Sequence, residues 1–198
     1  GGVQFYQRKE IKDLLAYLYV LSNVNDNESL LRIINEPTRG IGQTSINRLI
    51  SFANKTQMSL YKALQYADPV EEPKNPARNR ISEFYLLMER WHNSITQKPA
   101  LELVKTIVEE LELIERYKNS NDPREIARAE NIVEFVTSVS EFSEHFYREN
   151  DRLPLIEDYL PYVALQTDMD RMKEEVDSLR LMTLHNAKGL EFEMVFIV

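Results

Sequence analysis

The sequence predicts a mainly helical protein, in which a helical subdomain is inserted into a small α/β base formed by the two ends of the chain. Apolar residues recur at helical spacing through most of residues 24–177. At the ends, residues 3–5 indicate a short strand, and residues 179–184 and 194–198 have the nearly continuous apolar character of strands buried on both faces. We therefore assign residues 1–23 and 178–198 to the base and residues 24–177 to the insertion.

The elements between the ends are predicted from periodicity and from capping residues. Helices are expected over about 10–21, 28–34, 44–53, 59–64, 78–97, 99–117, 124–148 and 155–165. Residues 25–27, Thr44 or Ser45, and Ser59 are the expected N-caps, and Pro99 suits a first helical turn. The inner face of the longest helix is expected to contain Ile126, Ala129, Ile132, Val133, Phe135, Val136, Val139 and Phe142. A surface loop is predicted over 68–77, and an exposed acidic connector over 166–177.

Composition bounds the class of protein. With 198 residues and 43% hydrophobic content, the chain can bury one substantial core or two small ones. It has no cysteine, which excludes disulfides, zinc–thiolate sites and thiol catalysis, and its histidines (His92, His145, His185) lack metal-ligand spacing. No apolar run reaches the length of about 18 residues that a membrane span needs, and no secretion leader is visible. We expect a cytoplasmic protein without a metal site.

Charge is unevenly distributed along the chain. The net charge of −8 argues against a nucleic-acid partner, because phosphate binding depends on lysine and arginine. Residues 37–67, however, contain no acid and carry four cations: Arg39, Arg48, Lys55 and Lys62. Such a stretch is expected of a DNA-facing element on an acidic protein, and the alternative is an ordinary solvated face.

The glycine-bearing loop at the start of this stretch is the first candidate site. In Arg39-Gly40-Ile41-Gly42, the glycines permit a tight turn that exposes backbone N–H groups. The following helix, with Thr44 in its first turn and Arg48 beyond it, adds unpaired N–H groups and a positive dipole end. A helix, a glycine turn and a second helix form the pattern of a helix-hairpin-helix, which binds nucleic-acid backbones without sequence preference. The alternative is a structural turn with a helix-ending glycine.

Three segments resemble the UvrD/PcrA/Rep-type DNA helicases of superfamily 1. The end of the chain is similar to their motif V at Thr183, Leu184, His185, Ala187, Lys188, Gly189, Leu190, Glu191 and Phe192. Residues 1–18 are similar to the block around motif IV, and Asn35-x-Pro37-x-Arg39-Gly-Ile-Gly42 is similar to the loop that follows it. The resemblance thus extends from the motif IV region to motif V.

This resemblance implies a fold and a function. The two ends would belong to a RecA-like motor domain of the P-loop NTPase type, called 2A, and the insertion would be the family's 2B subdomain. The parent protein would be an ATP-dependent 3′–5′ DNA helicase in repair or replication that uses ATP and Mg²⁺. Its partners would be DNA at a junction of single strand and duplex, and repair or replication proteins, with no membrane involved.

The resemblance also implies roles for individual residues. Thr183, His185 and Lys188 would lie near single-stranded DNA, and Lys188, Gly189 and Glu191 near the nucleotide. The duplex would meet Arg39, Gly40, Ile41, Gly42, Thr44 and Arg48.

The sequence contains no phosphate-binding loop, magnesium-binding acidic pair or arginine-finger motif. The chain alone is therefore expected to be a monomer with no catalytic residue, no bound cofactor and no ATPase activity. Two alternatives remain: a non-enzymatic helical module that binds protein or DNA, and the equivalent region of a helicase–nuclease subunit.

Overall fold

The computed structural model describes residues 5–70 and 75–174, and the regular secondary structure of these residues is helical. Its α-helices are α1 (Lys9–Ser22), α2 (Asn27–Ile33), α3 (Gln43–Thr56), α4 (Leu60–Ala63), α5 (Ala67–Val70), α6 (Ala77–His92), α7 (Ala100–Glu110), α8 (Leu113–Lys118), α9 (Pro123–Asn150) and α10 (Ile156–Glu174). Single 3₁₀ turns cover Phe5–Gln7 and Leu64–Tyr66. Within these residues there is no strand, which confirms the mainly helical class but not the α/β base.

Helix α1 lies at the centre of the hydrophobic core. Most of its circumference is buried, by Ile11, Leu14, Leu15, Ala16, Tyr17, Leu18, Val20 and Leu21. It packs against α2, α6, α9 and α10. Because α1 is buried on most of its circumference by four neighbouring helices, it belongs to the helical core rather than standing apart from it. The predicted domain division at residue 23 therefore falls within continuous packing, and it stays a prediction.

The start of the chain differs from the sequence-based expectation. The predicted strand at 3–5 is wrong at Phe5, which begins a 3₁₀ turn; the two residues before it lie outside the described part. Phe5 packs edge-on against Tyr6, and the guanidinium of Arg8 lies 5.2 Å from the ring centre of Phe5. These local contacts favour a compact turn at this position over an extended strand.

Three helices begin with a side-chain cap, and two of these caps lie at predicted positions, Asp26 and Ser59. The side chains of Asp26, Ser59 and Asp122 accept hydrogen bonds from backbone N–H groups in the first turns of α2, α4 and α9. The predicted cap at Thr44 or Ser45 is wrong, because Gly42 takes that position and α3 begins at Gln43. The helix expected over 99–117 is divided into α7 and α8, with Glu112 in the left-handed region at φ 51°.

Two further predictions are wrong in part, one on the buried face of α9 and one on the extent of α10. The stripe of Ala129, Ile132, Phe135 and Val139 is buried, but Ile126 is 40% exposed and Val133 is 50% exposed. The packed face of α9 is therefore narrower than its apolar face. Helix α10 continues to Glu174, so the predicted connector over 166–177 is helical up to that residue.

Candidate nucleic-acid interface

The segment from Ile34 to Gly42, here called the 34–42 loop, joins α2 to α3 and brings the first candidate residues together. Gly40 has φ 72°, in the left-handed region that favours glycine. Ile41 is fully buried and anchors the loop to the core. Gly42 is extended and precedes α3 without offering a side-chain cap, and the first turn of α3 contains no acid. The first N–H groups of α3 therefore have no intrahelical acceptor and face a region without negative charge from that turn.

The side chain of Asn35 organises the loop from within. Its Oδ1 accepts hydrogen bonds from the backbone N–H of Arg39 at 2.9 Å and from that of Ile41 at 3.1 Å. These two amides are consequently used inside the loop. The backbone donors available to a phosphate are those of Gly42 and of the first turn of α3.

Arg39 supports the loop from its inner side. Its guanidinium donates to the carbonyl oxygens of Ile33 at 2.9 Å and Pro37 at 3.3 Å, and also to the hydroxyl of Tyr17. It lies 4.6 Å from the ring centre of Phe84 on α6. The sequence predicted Arg39 as a contact to DNA, whereas the structure places its donors on the protein itself.

Tyr17 completes this inner network. Its hydroxyl donates to the carbonyl oxygen of Glu36 at 2.6 Å while accepting from Arg39. Burial raises the pKa of Tyr17 to about 12, and the neighbouring positive charge of Arg39 acts in the opposite direction. The phenol is therefore neutral at physiological pH, and it links α1 to the loop.

A residue that sequence reasoning missed reaches the loop from α6. Nη1 of Arg80 donates to the carbonyl oxygen of Gly40 at 2.9 Å. A Cβ atom on residue 40 would lie 2.3 Å from the same nitrogen, so only glycine permits this approach without a shift of the arginine. Nothing in the local sequence around Arg80 marks it, because its partner lies 40 residues earlier.

The outer face of α3 continues the candidate surface. A groove of about 490 Å³ is lined by Thr44, Asn47, Arg48, Ser51, Phe52 and Val70. The first four lie at helical spacing on one side of α3, and Thr44, Asn47 and Ser51 are exposed. Lys55, one turn further, is also exposed. This face presents hydroxyl, amide and cationic groups, which are the groups that contact phosphates.

The other predicted site falls elsewhere in the chain. Thr183, His185, Lys188, Gly189 and Glu191 of the motif V segment lie outside the described residues. Their roles stay predictions.

In residues 5–70 and 75–174, no cluster of three or more His, Asp or Glu could hold a metal ion. Nδ1 of His92 is 2.9 Å from the carbonyl oxygen of Leu21, and His145 faces Glu149 at 3.5 Å. None of the helices in these ranges is long and apolar enough to span a membrane.

Comparison of the sequence with known proteins identifies a family. The sequence model of the UvrD-like helicase C-terminal domain matches residues 1–198. The chain belongs to this family. It is 36% identical over 202 residues to the ATP-dependent DNA helicase PcrA of Leuconostoc citreum and 36% identical over 204 residues to that of Bacillus subtilis (strain 168). It is 37% identical over 204 residues to PcrA of Staphylococcus aureus (strain Mu50 / ATCC 700699).

These alignments cover the whole of this chain but only 26% or 27% of each relative. The chain thus spans about a quarter of the length of the curated relatives it matches. Membership confirms the family resemblance that the three sequence segments predicted.

Proposed function

We propose that this chain is the duplex-contacting and regulatory 2B region, with flanking parts of 2A, of an ATP-dependent 3′–5′ DNA helicase that acts in repair or replication. The observation that carries the proposal is the junction of the 34–42 loop with α3. There, an uncapped helix start follows a glycine turn within residues 37–67, which contain no acid in a chain of net charge −8. The names of the PcrA relatives support the proposed activity.

The proposed contact is made to the DNA backbone. A phosphate oxygen would accept from the N–H groups of Gly42 and the first turn of α3, where the helix dipole adds positive potential. The hydroxyl of Thr44 and, one turn on, Arg48 would contact the same strand. Backbone contacts position a protein on DNA without reading bases, so binding would be independent of sequence.

Helix α1, which lies in the segment 1–23 assigned to the motor domain, contacts the 34–42 loop directly. Nζ of Lys9 lies 2.7 Å from Oε2 of Glu36, and the Tyr17 hydroxyl holds the Glu36 carbonyl. In the proposed enzyme, residues 1–23 and 178–198 form part of the RecA-like 2A domain. Thr183, His185 and Lys188 contact single-stranded DNA, and Lys188, Gly189 and Glu191 contact the nucleotide, with ATP and Mg²⁺ held largely by other parts of the enzyme.

Gly42→Leu tests the proposed contact with little risk to the fold. Gly42 has φ −78° and ψ 165°, a conformation open to any residue, and an added Cβ meets no atom within 4 Å among the described residues. The leucine side chain would cover the start of α3 and hinder a phosphate. We expect duplex affinity of the 198-residue chain, measured by fluorescence anisotropy, to fall about tenfold.

Two further measurements make the test decisive. If Arg48 and Lys55 on α3 each neutralise one phosphate, log K should fall against log salt with a slope near about −1.8 for the unmodified chain. Thr137→Leu, which places the same leucine side chain at an exposed position on α9, is the control and should bind as the unmodified chain does. Wild-type affinity in both Gly42→Leu and Arg48→Ala would refute the duplex contact.

A helical module that docks a partner protein is the second candidate. Ile126 and Val133, which are seven residues apart on α9, are 40% and 50% exposed, and exposed apolar side chains on one helix face suit a protein partner. Under this alternative, duplex binding would be weak, and it would not respond to changes at Gly42 or Arg48.

A further inference from the structure

The peptide unit between Gly40 and Ile41 is held at both of its polar atoms by side chains. Its C=O accepts from Nη1 of Arg80 at 2.9 Å, and its N–H donates to Oδ1 of Asn35 at 3.1 Å. Arg80 comes from α6, whereas Asn35 follows α2. Rotation of this peptide plane would therefore break two hydrogen bonds to two different parts of the fold.

The position of this peptide makes its orientation important. Glycine adopts several backbone regions at similar energy, so a glycine turn without such contacts would be free to flip. A flip would reverse the Gly40 carbonyl and the Ile41 N–H immediately before Gly42, the residue that precedes α3. Fixing the peptide also fixes the direction in which Gly42 presents its own N–H.

The guanidinium of Arg80 occupies the place that a side chain on residue 40 would take. Its Nη1 and Cζ atoms lie 2.3 and 2.8 Å from the position of a Cβ built on Gly40. Alanine at position 40 would push the end of Arg80 aside and break its hydrogen bond. Residues 40 and 80 are therefore energetically coupled, although they are distant in sequence.

We propose that Arg80 is a positioning residue for DNA binding, which holds the Gly40–Ile41 peptide in the orientation that aims the Gly42 N–H and the start of α3 at a phosphate. This inference rests on the proposed duplex contact of the 34–42 loop. Arg80 lowers the cost of ordering the loop before DNA arrives, and it acts through Gly40 rather than on the phosphate.

The test compares three variants of the 198-residue chain in duplex binding across a range of salt concentrations. Arg80→Ala should weaken binding about fivefold with an unchanged salt slope, because the number of phosphate contacts stays the same. Arg80→Lys should restore part of the affinity, since an ammonium group can donate to the same carbonyl. Arg90→Ala, which removes an equal charge from the same helix at an exposed ion pair with Glu110, should bind within about twofold of the unmodified chain.

Two readouts separate positioning from a general structural role. Hydrogen exchange of the Ile41 amide should be faster in Arg80→Ala, while the melting temperature changes by no more than a few degrees because Arg80 is exposed. In a double-mutant cycle, Arg80→Ala should cost little further affinity once Gly40→Ala has displaced the guanidinium.

The outcomes that overturn the inference differ from those that overturn the proposed function. Unchanged affinity in Arg80→Ala, or additive losses in the cycle, would refute positioning. A salt slope shallower by about 0.9 would instead make Arg80 a direct phosphate contact. If Gly42→Leu weakens binding but Arg80→Ala does not, only this inference fails. If neither variant changes binding, the duplex contact itself fails.

Discussion

The 34–42 loop and the turn between α9 and α10 contain similar residues, but their arginines have different partners. Each contains a left-handed residue, Gly40 at φ 72° and Asp151 at φ 52°, and each contains an arginine that lies over an aromatic ring. Arg152 makes two 2.8 Å contacts with the carboxylate of Asp158, so its charge is compensated within the turn. Arg39 donates to two carbonyls and a phenol, which are neutral, so these contacts leave its charge uncompensated.

The two turns therefore differ in whether the charge of their arginine is compensated by a carboxylate. Arg39 contributes positive potential to the 34–42 loop even though its guanidinium makes three hydrogen bonds to the protein itself. The Arg152–Asp158 pair contributes almost no net charge to its surroundings. In the proposed duplex contact, Arg39 would act through its electrostatic field while its hydrogen bonds hold the fold, without an Arg39–phosphate contact.

Removing Arg39 should have the largest effect on stability. Arg39→Ala removes a donor from the Pro37 carbonyl, the Tyr17 hydroxyl and the Ile33 carbonyl, of which the last keeps the Glu36 N–H at 3.0 Å, and it also removes the stack on Phe84. We therefore expect a loss of about 3 kcal/mol in the free energy of unfolding. Arg39→Lys should recover only a small part, because an ammonium group cannot reproduce the planar fork of donors. Urea denaturation measures both.

Arg152→Ala is the matched control in the turn between α9 and α10, and it should lower the free energy of unfolding much less than Arg39→Ala does, because the pair is partly exposed. If Arg39→Ala unfolds at the same urea concentration as the unmodified chain yet loses duplex affinity, Arg39 contacts DNA directly, as its sequence context first predicted.

Removing the Tyr17 hydroxyl should lower the free energy of unfolding less than removing Arg39 does, and the loss should depend on pH in the alkaline range. Tyr17→Phe removes the hydrogen bond to Glu36 and one acceptor of Arg39, and it should cost about 1.5 kcal/mol at pH 7. Because the pKa of Tyr17 is about 12 in the fold and about 10 in the unfolded chain, the folded state retains this proton more strongly. That contribution is fully present below pH 10 and is lost as the pH rises from about 10 to 12.

Equilibrium unfolding of the unmodified chain and of Tyr17→Phe between pH 8 and pH 11 measures the stability that is lost as Tyr17 ionises. The stability of the unmodified chain should decline more steeply than that of Tyr17→Phe, because the variant has lost one titrating phenol. Parallel curves would show that Tyr17 ionises as readily in the fold as in the unfolded chain. Tyr61→Phe is a useful comparison, since burial and the nearby Glu89 also raise the pKa of that phenol, but away from the 34–42 loop.

Local features of the fold could be predicted from the sequence, whereas contacts between distant residues could not. Helical periodicity located α1 and α9, and the caps at Asp26 and Ser59 were predicted because capping is local. The glycine turn was recognised for the same reason. The partners of Arg39 on α6 and the contact from Arg80 to Gly40 left no local signal, since they join residues 40 or more positions apart. Local chemistry therefore predicted where the loop lies, whereas tertiary packing decided which of its groups face outward.

The same limit explains the error on α9. Ile126 and Val133 continue the apolar periodicity of Ala129 and Ile132, so the sequence alone assigns them to the core. The helices that pack on α9 cover only part of that stripe. Periodicity gives the direction of a face, but the width of the buried part depends on the neighbouring helices.

The smallest expected effect on stability comes from the turn between α9 and α10. Hydrogen bonds from Arg152, assisted by the Leu155 N–H, lower the pKa of Asp158. A depressed pKa means that this carboxylate stabilises the fold above its unfolded pKa of about 4, and that the contribution is lost as the pH falls through the lower folded value. Asp158→Asn should therefore cost less than about 1 kcal/mol at pH 7 and flatten the acid side of the stability curve, as measured by urea denaturation between pH 2 and pH 7. Duplex affinity at pH 7 should stay within twofold of the unmodified chain, because this turn is not part of the proposed interface. A several-fold change in duplex affinity would place the 151–155 turn in contact with DNA, and the division between a structural turn and an anion-binding loop would no longer hold.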